Sequence, residues 1–305
     1  MIRIAHLTDL HLLEDEPGRR STGDMIRLRF VGFGRKFHVT RRKRRVAQAL
    51  VDARAAGAEH VLITGDLTED GTPDQFESLA EILHHSPYSA EEITLVPGNH
   101  DRYADPKAYE RALDGPLRAF SRTSQRRVPL VFSDCAILPV FTTSIRQHYT
   151  RSAGVIDLDE LETIRKLAGD SGLRKKPLVI AQHHPPVKYM LPPVQWVDGL
   201  QNAKSTTEIL KAHEHLFVLH GHVHQAYDRR VAPHRPPQVF CSHATVARET
   251  ALRLYDVGAR FCTPVEHTSS IGKALSSNAA NREARATLLS AARTKVSESP
   301  INVTA

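Results

Sequence analysis

Five short apolar runs along the chain each break off into a cluster of aspartate, asparagine or histidine. IRIAHLT (2–8) ends at Asp9 and His11, and HVLIT (60–64) ends at Gly65-Asp66. EITLVP (92–97) ends at Gly98-Asn99-His100-Asp101, and PLVIAQ (177–182) at His183-His184-Pro185-Pro186. HLFVLHG (215–221) runs into His222 and His224. Runs of this length, bounded by turn residues, read as buried strands. Segments with helical spacing lie between them: 46–56, 73–85, 157–169 and 205–213. Pro73 suits a first helical position and Gly57 a stop. Asp157 with Glu160, and Ser205 with Glu208, read as capping boxes. VPLVFSDCAILPVF (128–141) reads as two strands turning at Ser133-Asp134, and 238–243 and 249–258 as the last strands. No internal repeat interrupts this alternation, which predicts an α/β architecture.

In an open α/β sheet, ligands gather beyond the carboxyl ends of the strands. A lone buried histidine is more often a satisfied core residue than a ligand. Five strand ends that all deliver Asp, Asn or His are better explained together, by metal. Imidazole nitrogens and carboxylate oxygens suit Mn²⁺, Fe, Co²⁺ or Zn²⁺, whereas all-oxygen sites suit Mg²⁺ or Ca²⁺ and thiolates suit structural zinc. Two cations need a shared anion to offset their repulsion. Asp66, on a Gly-Asp turn, has two oxygens free to bridge, and Asn99 adds a neutral carbonyl oxygen that leaves net positive charge for an anionic substrate.

The motifs DLH, GDLTEDG, GNHD, HHPP and GHVH, in this order, resemble those of the calcineurin-like metallophosphoesterase superfamily, and within it the bacterial cyclic-nucleotide and glycerophosphodiester phosphodiesterase group. The resemblance covers residues 1 to about 258, and WVDGLQN (196–202) resembles a substrate-side segment of that group. It implies a four-layer α-β-β-α sandwich of two mixed β-sheets flanked by helices. It implies one metal held by Asp9, His11, Asp66 and His224, and another by Asp66, Asn99, His183 and His222. The first histidine of HHPP is the family's ligand, hence His183 rather than His184. His100 would be the catalytic group at the phosphate or leaving oxygen, with Asp101 orienting it, and substrate would meet His100, Asn99 and His224. Gly221 is expected to bend the backbone so that His222 and His224 reach different metals, with His220 left as a strand-end residue. The reaction implied is hydrolysis of a small phosphodiester through a metal-bridging hydroxide, on two ions drawn from Mn, Fe and Zn. Purple acid phosphatases carry Tyr where this chain has Glu69. Phosphoprotein phosphatases carry GDxVDRG and GNHE where it has GDLTEDG and GNHD. Both relationships are therefore disfavoured.

The chain's 305 residues carry a net charge of +7, much of it in RKFHVTRRKRR (35–45). Such a run is either a solvated loop leading into a basic helix face or a track for a phosphate backbone. The second reading makes a nuclease the main alternative, although only Phe33 and Phe37 could stack bases there. Apolar residues at 25–33 (Met25, Ile26, Leu28, Phe30, Val31, Phe33) allow a third reading, a lid over a lipid-linked pyrophosphate. A non-catalytic scaffold is disfavoured because the ligand set and His100 are complete. The insert 12–45 is long for a loop, and loops of that length are functional or disordered.

Cys135, Cys241 and Cys262 form no CxxC pair, which fits a reducing compartment. MIRIAHLTDLHL lacks the features of a signal peptide, and no apolar run approaches the roughly 18 residues of a membrane helix. A cytoplasmic protein without membrane insertion is expected, and the resemblance adds a homodimer. Residues 1–267 are read as the catalytic domain. Residues 268–305 are read as a tail with a helix in ANREARATLLSAARTK.

Overall fold

The computed structural model describes residues 1–265, except 33, 144, 145, 149, 189, 190, 249, 250 and 260. The tail and its expected helix lie outside the described residues. In chain order the strands are β1 (Ile2–Leu7), β2 (His60–Thr64), β3 (Ile93–Val96), β4 (Leu130–Val131), β5 (Ala136–Pro139), β6 (Leu178–Ala181), β7 (Leu216–His220), β8 (Tyr227–Arg229), β9 (Val239–Cys241), β10 (Arg253–Gly258) and β11 (Phe261–Val265). The helices longer than one turn are α1 (Thr22–Gly32), α2 (Val39–Ala55), α3 (Pro73–His84), α4 (Ala108–Asp114), α5 (Leu158–Gly169), α6 (Pro192–Asp198) and α7 (Ala203–Ala212).

The strands form two mixed sheets, ordered β11-β10-β1-β2-β3 and β4-β5-β6-β7-β9-β8. β1, β2 and β3 run parallel, with Ile4 opposite His60 and Val61 opposite Ile93. β5, β6, β7 and β9 run parallel in the second sheet, with Ile137 opposite Val179 and Val179 opposite Phe217. These strands are apolar at nearly every position because both of their faces are covered. The period-2 alternation of a strand divides the second sheet's side chains between two cores. Ile137, Val179, Phe217 and Leu219 join the first sheet in one cluster. Leu138, Leu178, Ile180, Leu216 and Val218 pack instead with Leu161 and Ile164 of α5 and Ile209 and Leu210 of α7. On the other side, α2 and α3 add Val46, Leu50, Phe76 and Leu79 to the first cluster. This is the expected four-layer α-β-β-α sandwich.

Three local expectations are corrected. The insert 12–45 is largely helical: α1 occupies its middle, and α2 begins at Val39 rather than residue 46. The first two turns of α2 come from the basic run because Arg42 is buried on the face that continues to Val46, Ala49 and Ala53. Ser205 caps nothing, since α7 starts at Ala203 after Asn202. The Asp157 carboxylate does accept from the Glu160 N–H, but the Glu160 side chain turns to the Phe141 N–H and Arg126. Only half of that box forms. Cys135, Cys241 and Cys262 are buried free thiols. No helix of the described residues is long and apolar enough to cross a membrane.

Candidate metal centre

The parallel strands of both sheets end at one rim. Loops after β1, β2 and β3 bring Asp9, His11, Asp66 and Asn99, while loops after β6 and β7 bring His183, His222 and His224. The Asp9 N–H donates to the Gly65 carbonyl at 3.0 Å and the His11 N–H to the Asp66 carbonyl at 2.9 Å, locking the first two loops together. The His222 N–H donates to the Asp9 carboxylate at 3.2 Å and joins the two sheets.

Three glycines are required here by contact. A Cβ on Gly65 would overlap the His183 ring. A Cβ on Gly98 would overlap the Asp66 carboxylate, and one on Gly221 would overlap the Thr8 hydroxyl and crowd Asp9. Gly221 is not among the residues with positive φ, so its role is this close approach and not the bend expected from sequence. At the rim the left-handed conformation falls on Gly65 (φ 89°) and also on residues with side chains. Asp9 (φ 53°), His11 (47°), Asp66 (49°), His222 (72°) and His224 (61°) all adopt it. Non-glycine residues held there mark functional sites more often than chance would place them.

The side chains converge. Asp9, His11, Asp66 and His224 each offer a ligand atom within 4.8 Å of the others. His224 Nε2 lies 3.3 Å from Asp9 Oδ1, and His11 Nε2 lies 3.7 Å from Asp66 Oδ2. The Nε2 atoms of His11 and His224 face each other at 3.4 Å. On the other side of Asp66, His183 Nε2 stands 3.4 Å from Oδ1 and 3.1 Å from Asn99 Oδ1. The Asn99 amide is oriented by its own Nδ2, which donates to the Tyr103 hydroxyl at 2.7 Å.

These groups fit a pair of cations. Asp9 and Asp66 are buried, and their ion-pair partners are imidazoles, not Lys or Arg. Buried charge needs compensation. Burial alone would raise both carboxyls, but the imidazoles outweigh it and hold both below the usual carboxylate range. In return, and against their own burial, His183 is pushed up to about 9 by Asp66 and Asp9, and His224 is raised by Asp9. Imidazoles with such partners must give up their protons when a metal binds. His11 is pushed well below the ordinary histidine range by burial, Arg35 and His100, which keeps its ring neutral as a ligand must be.

The remaining histidines separate by their partners. His184 receives the Thr142 hydroxyl at Nδ1 and donates from Nε2 to the Ser152 carbonyl, leaving neither nitrogen for a metal. His220 donates to the Gly221 carbonyl and accepts from the Tyr227 hydroxyl. His222 donates from Nε2 to the Asp198 carbonyl at 2.7 Å, so only its Nδ1 could meet a metal. Its ring centroid lies 5.1 Å from that of His183.

His100 donates from Nδ1 to the Glu69 carbonyl at 2.6 Å, and its Nε2 faces Asp66 Oδ2 at 3.9 Å. The expectation that Asp101 orients His100 is therefore corrected. Asp101 accepts from the N–H groups of Leu67, Thr68 and Gly98 and from the Thr68 hydroxyl, tying the loop after β2 to the loop after β3. Burial and the neighbouring Asp66 push its carboxyl up to about 6 against those bonds.

Glu69 and Tyr103 were absent from the expected site, and Asp198 was expected only as part of the substrate-side segment 196–202. The fully buried Glu69 carboxylate receives Arg35 at 2.7 and 3.1 Å and also Arg42, and lies 3.8 Å from His11 Nδ1. A carboxylate three residues past Asp66, facing an arginine-rich insert, was the signal available. Burial raises the Asp198 carboxyl, but His222 and the Ser152 hydroxyl outweigh this and hold it below its usual range.

The sequence profile of the calcineurin-like phosphoesterases matches residues 2–226. A 3′,5′-cyclic-nucleotide phosphodiesterase of Nostoc sp. is 28% identical over 236 residues, covering 75% of this chain and 74% of that protein. The 3′,5′-cyclic adenosine monophosphate phosphodiesterase of Pseudomonas aeruginosa is 27% identical over 183 residues, 57% of each. Among solved structures, a dimetal phosphatase from Danio rerio superposes with a TM-score of 0.62 at 12% identity, covering 88% of this chain and 99% of that one. That last likeness is one of fold.

Proposed function

The chain belongs to the calcineurin-like phosphoesterase family, and from that premise we propose that it hydrolyses small phosphodiesters, cyclic nucleotides foremost, at a dinuclear centre. The observation that carries the reading is the meeting of Asp9, His11, Asp66 and His224 at a rim where both sheets end. The curated relatives are named as cyclic-nucleotide phosphodiesterases, which supports the substrate class. Asp9, His11, Asp66 and His224 would hold one ion. Asp66, Asn99, His183 and the Nδ1 of His222 would hold the other. When bound, two such cations supply Lewis acidity toward the phosphoryl oxygens and lower the pKa of water.

The chain's own groups do the rest. Tyr103 fixes the Asn99 amide so that its carbonyl oxygen faces the centre. Asp101 holds the two loops that carry Asp66 and His100. Burial keeps His100 below the ordinary histidine range, although Asp66 opposes this. The Nδ1–H bond to Glu69 fixes the tautomer and directs Nε2 at the substrate space. An arriving phosphodiester brings negative charge, which favours a proton on Nε2, and that proton can pass to the leaving alkoxide.

The basic run lends a nuclease reading little support. Arg35 and Arg42 bind Glu69, Lys43 binds Asp15 and Glu81, and Arg45 donates to the Val246 carbonyl. These four of the run's seven cations serve internal acceptors.

The test is metal analysis and a hydrolysis screen on protein reconstituted separately with Mn²⁺, Fe²⁺ and Zn²⁺. Wild type should retain two ions per chain and turn over cyclic nucleotides or glycerophosphodiesters. Asp66→Ala should lose both properties. An Asp66→Ala protein with two ions and full turnover would sink the bridging assignment.

A further inference from the structure

The rim also carries an aromatic group that phosphoester chemistry does not use. α6 is a single seven-residue helix anchored by the buried Gln195, whose Nε2 donates to the Leu200 carbonyl at 2.9 Å. Trp196 points outward and is 60% exposed, so one of the largest apolar side chains stands open to water. The Arg151 guanidinium lies over the indole, 4.3 Å from the ring centroid.

Both members of this stack hang from the metal centre. Two residues after Trp196, the Asp198 carbonyl receives His222 Nε2, and the Asp198 carboxylate lies 3.2 Å from the same nitrogen. One residue after Arg151, the Ser152 carbonyl receives His184 Nε2 at 2.6 Å, and the Ser152 hydroxyl donates to Asp198. One helical turn, about 5.4 Å, more than covers the step from Trp196 to Asp198.

We propose that Trp196 and Arg151 form a nucleobase subsite. The base of a nucleotide phosphodiester stacks on the indole while its phosphate sits at the rim beside His222. This deepens the phosphodiesterase reading and rests on it. A surface Arg–Trp pair is worth only about 0.5–1 kcal/mol by itself, a weak reason to keep an indole in water. Base–aromatic stacking gives a stronger one, because every base has a π-face that indole can cover. A glycerol or choline headgroup has no such face. The subsite therefore selects nucleotide diesters over glycerophosphodiesters.

Trp196 is the chain's single tryptophan, so intrinsic emission reports this position alone. Metal-reconstituted full-length protein is titrated with AMP and, in parallel arms, with glycerol 3-phosphate and inorganic phosphate. AMP should quench the emission saturably and the other two should not. Values of kcat and KM for 3′,5′-cyclic AMP and for glycerophosphocholine are then compared in wild type, Trp196→Ala and Trp196→Phe. In the alanine variant the ratio of the two kcat/KM values should move against cyclic AMP by roughly 5- to 150-fold, mostly through KM, and phenylalanine should recover most of it. The subsite is overturned if AMP leaves the emission unchanged, or if the alanine variant leaves that ratio where it was. If AMP quenches wild type but neither diester is hydrolysed, the subsite stands and the phosphodiesterase reading falls.

Discussion

Arg42 is the cation by which the insert grips the site, and its removal has a calculable cost. The side chain is buried, with Nη1 on both the Glu69 carboxylate and the His11 carbonyl and Nη2 on the Lys36 carbonyl at 3.0 Å. Arg42→Met keeps much of the apolar stem and removes the charge. Removing one partner of a buried pair costs about 3–5 kcal/mol, because the other charge stays buried. Glu69 would keep Arg35, so the loss should fall near the lower figure, about 3 kcal/mol. With a urea m-value at or above about 3 kcal/mol/M for a chain of this size, the unfolding midpoint should drop by up to about 1 M. Adding Glu69→Gln removes the carboxylate that Arg35 alone would then offset, and the double variant should regain at least about 1 kcal/mol, a coupling within the range for contacting residues. Unfolding is followed by far-UV circular dichroism in a metal chelator, since a bound ion would add its own stabilisation. The reasoning fails if Arg42→Met unfolds within about 1 kcal/mol of wild type, or if the double variant is no more stable than the single one.

Two further outcomes test other contacts. Tyr103→Phe removes the hydroxyl that orients the Asn99 amide, and loss of such a supporting group should weaken metal affinity about 10- to 100-fold. Competition with a chromogenic chelator measures this, and unaltered affinity contradicts it. Burial pushes His60 down to about 4 from 6.5, so between those values the unfolded chain binds a proton that the native one does not. Its contribution is complete above pH 6.5 and is lost as the pH falls toward 4, at about 1.4 kcal/mol per pH unit. His60→Gln removes this titration. Between pH 6.5 and 5 wild type should lose roughly 2 kcal/mol more than the variant, and parallel denaturation curves at the two pH values would rule the account out.

Most strands were legible because each is a short apolar run ended by glycine, proline or a ligand-type residue; β8 (Tyr227-Asp228-Arg229) and β11, edge strands beyond the expected set, were not read. HVLIT was read to the residue. The insert was misread because its signal conflicts with itself. In α1, Leu28 and Val31 pack inward while Ile26 and Phe30 face solvent, so no clean apolar stripe shows. In α2 the core face begins with Arg42, four residues before Val46, and a periodicity search stops at a charge. Partners remote in sequence, the Glu69 carboxylate and the His11 carbonyl, explain why arginine occupies a core position. Asp101 was misassigned for a related reason. A carboxylate beside a histidine in sequence suggests a partner, yet in the helical turn at 100–102 His100 bonds the Glu69 carbonyl while Asp101 takes the N–H groups of Leu67, Thr68 and Gly98, so each side chain serves partners of its own.

The strain at the rim shows what the fold is arranged around. Left-handed backbone disfavours a side-chain-bearing residue by roughly 1–2 kcal/mol, and Asp9, His11, Asp66, His222 and His224 all adopt it. Their sum, roughly 5–10 kcal/mol, is comparable to the net stability of a whole domain. Glycine would relieve it at every one of these positions. The strain is held by a frame of hydrogen bonds. The loops after β1 and β2 bond to each other through Asp9, His11, Leu12 and Glu69, and Asp101 clamps the second loop to the third. Sites of this kind work when supporting bonds fix the ligands before anything binds. Local preference and global fold disagree in a natural sequence chiefly where function demands it. A chain selected for stability alone would carry glycine at these five positions, and this one carries carboxylates and imidazoles.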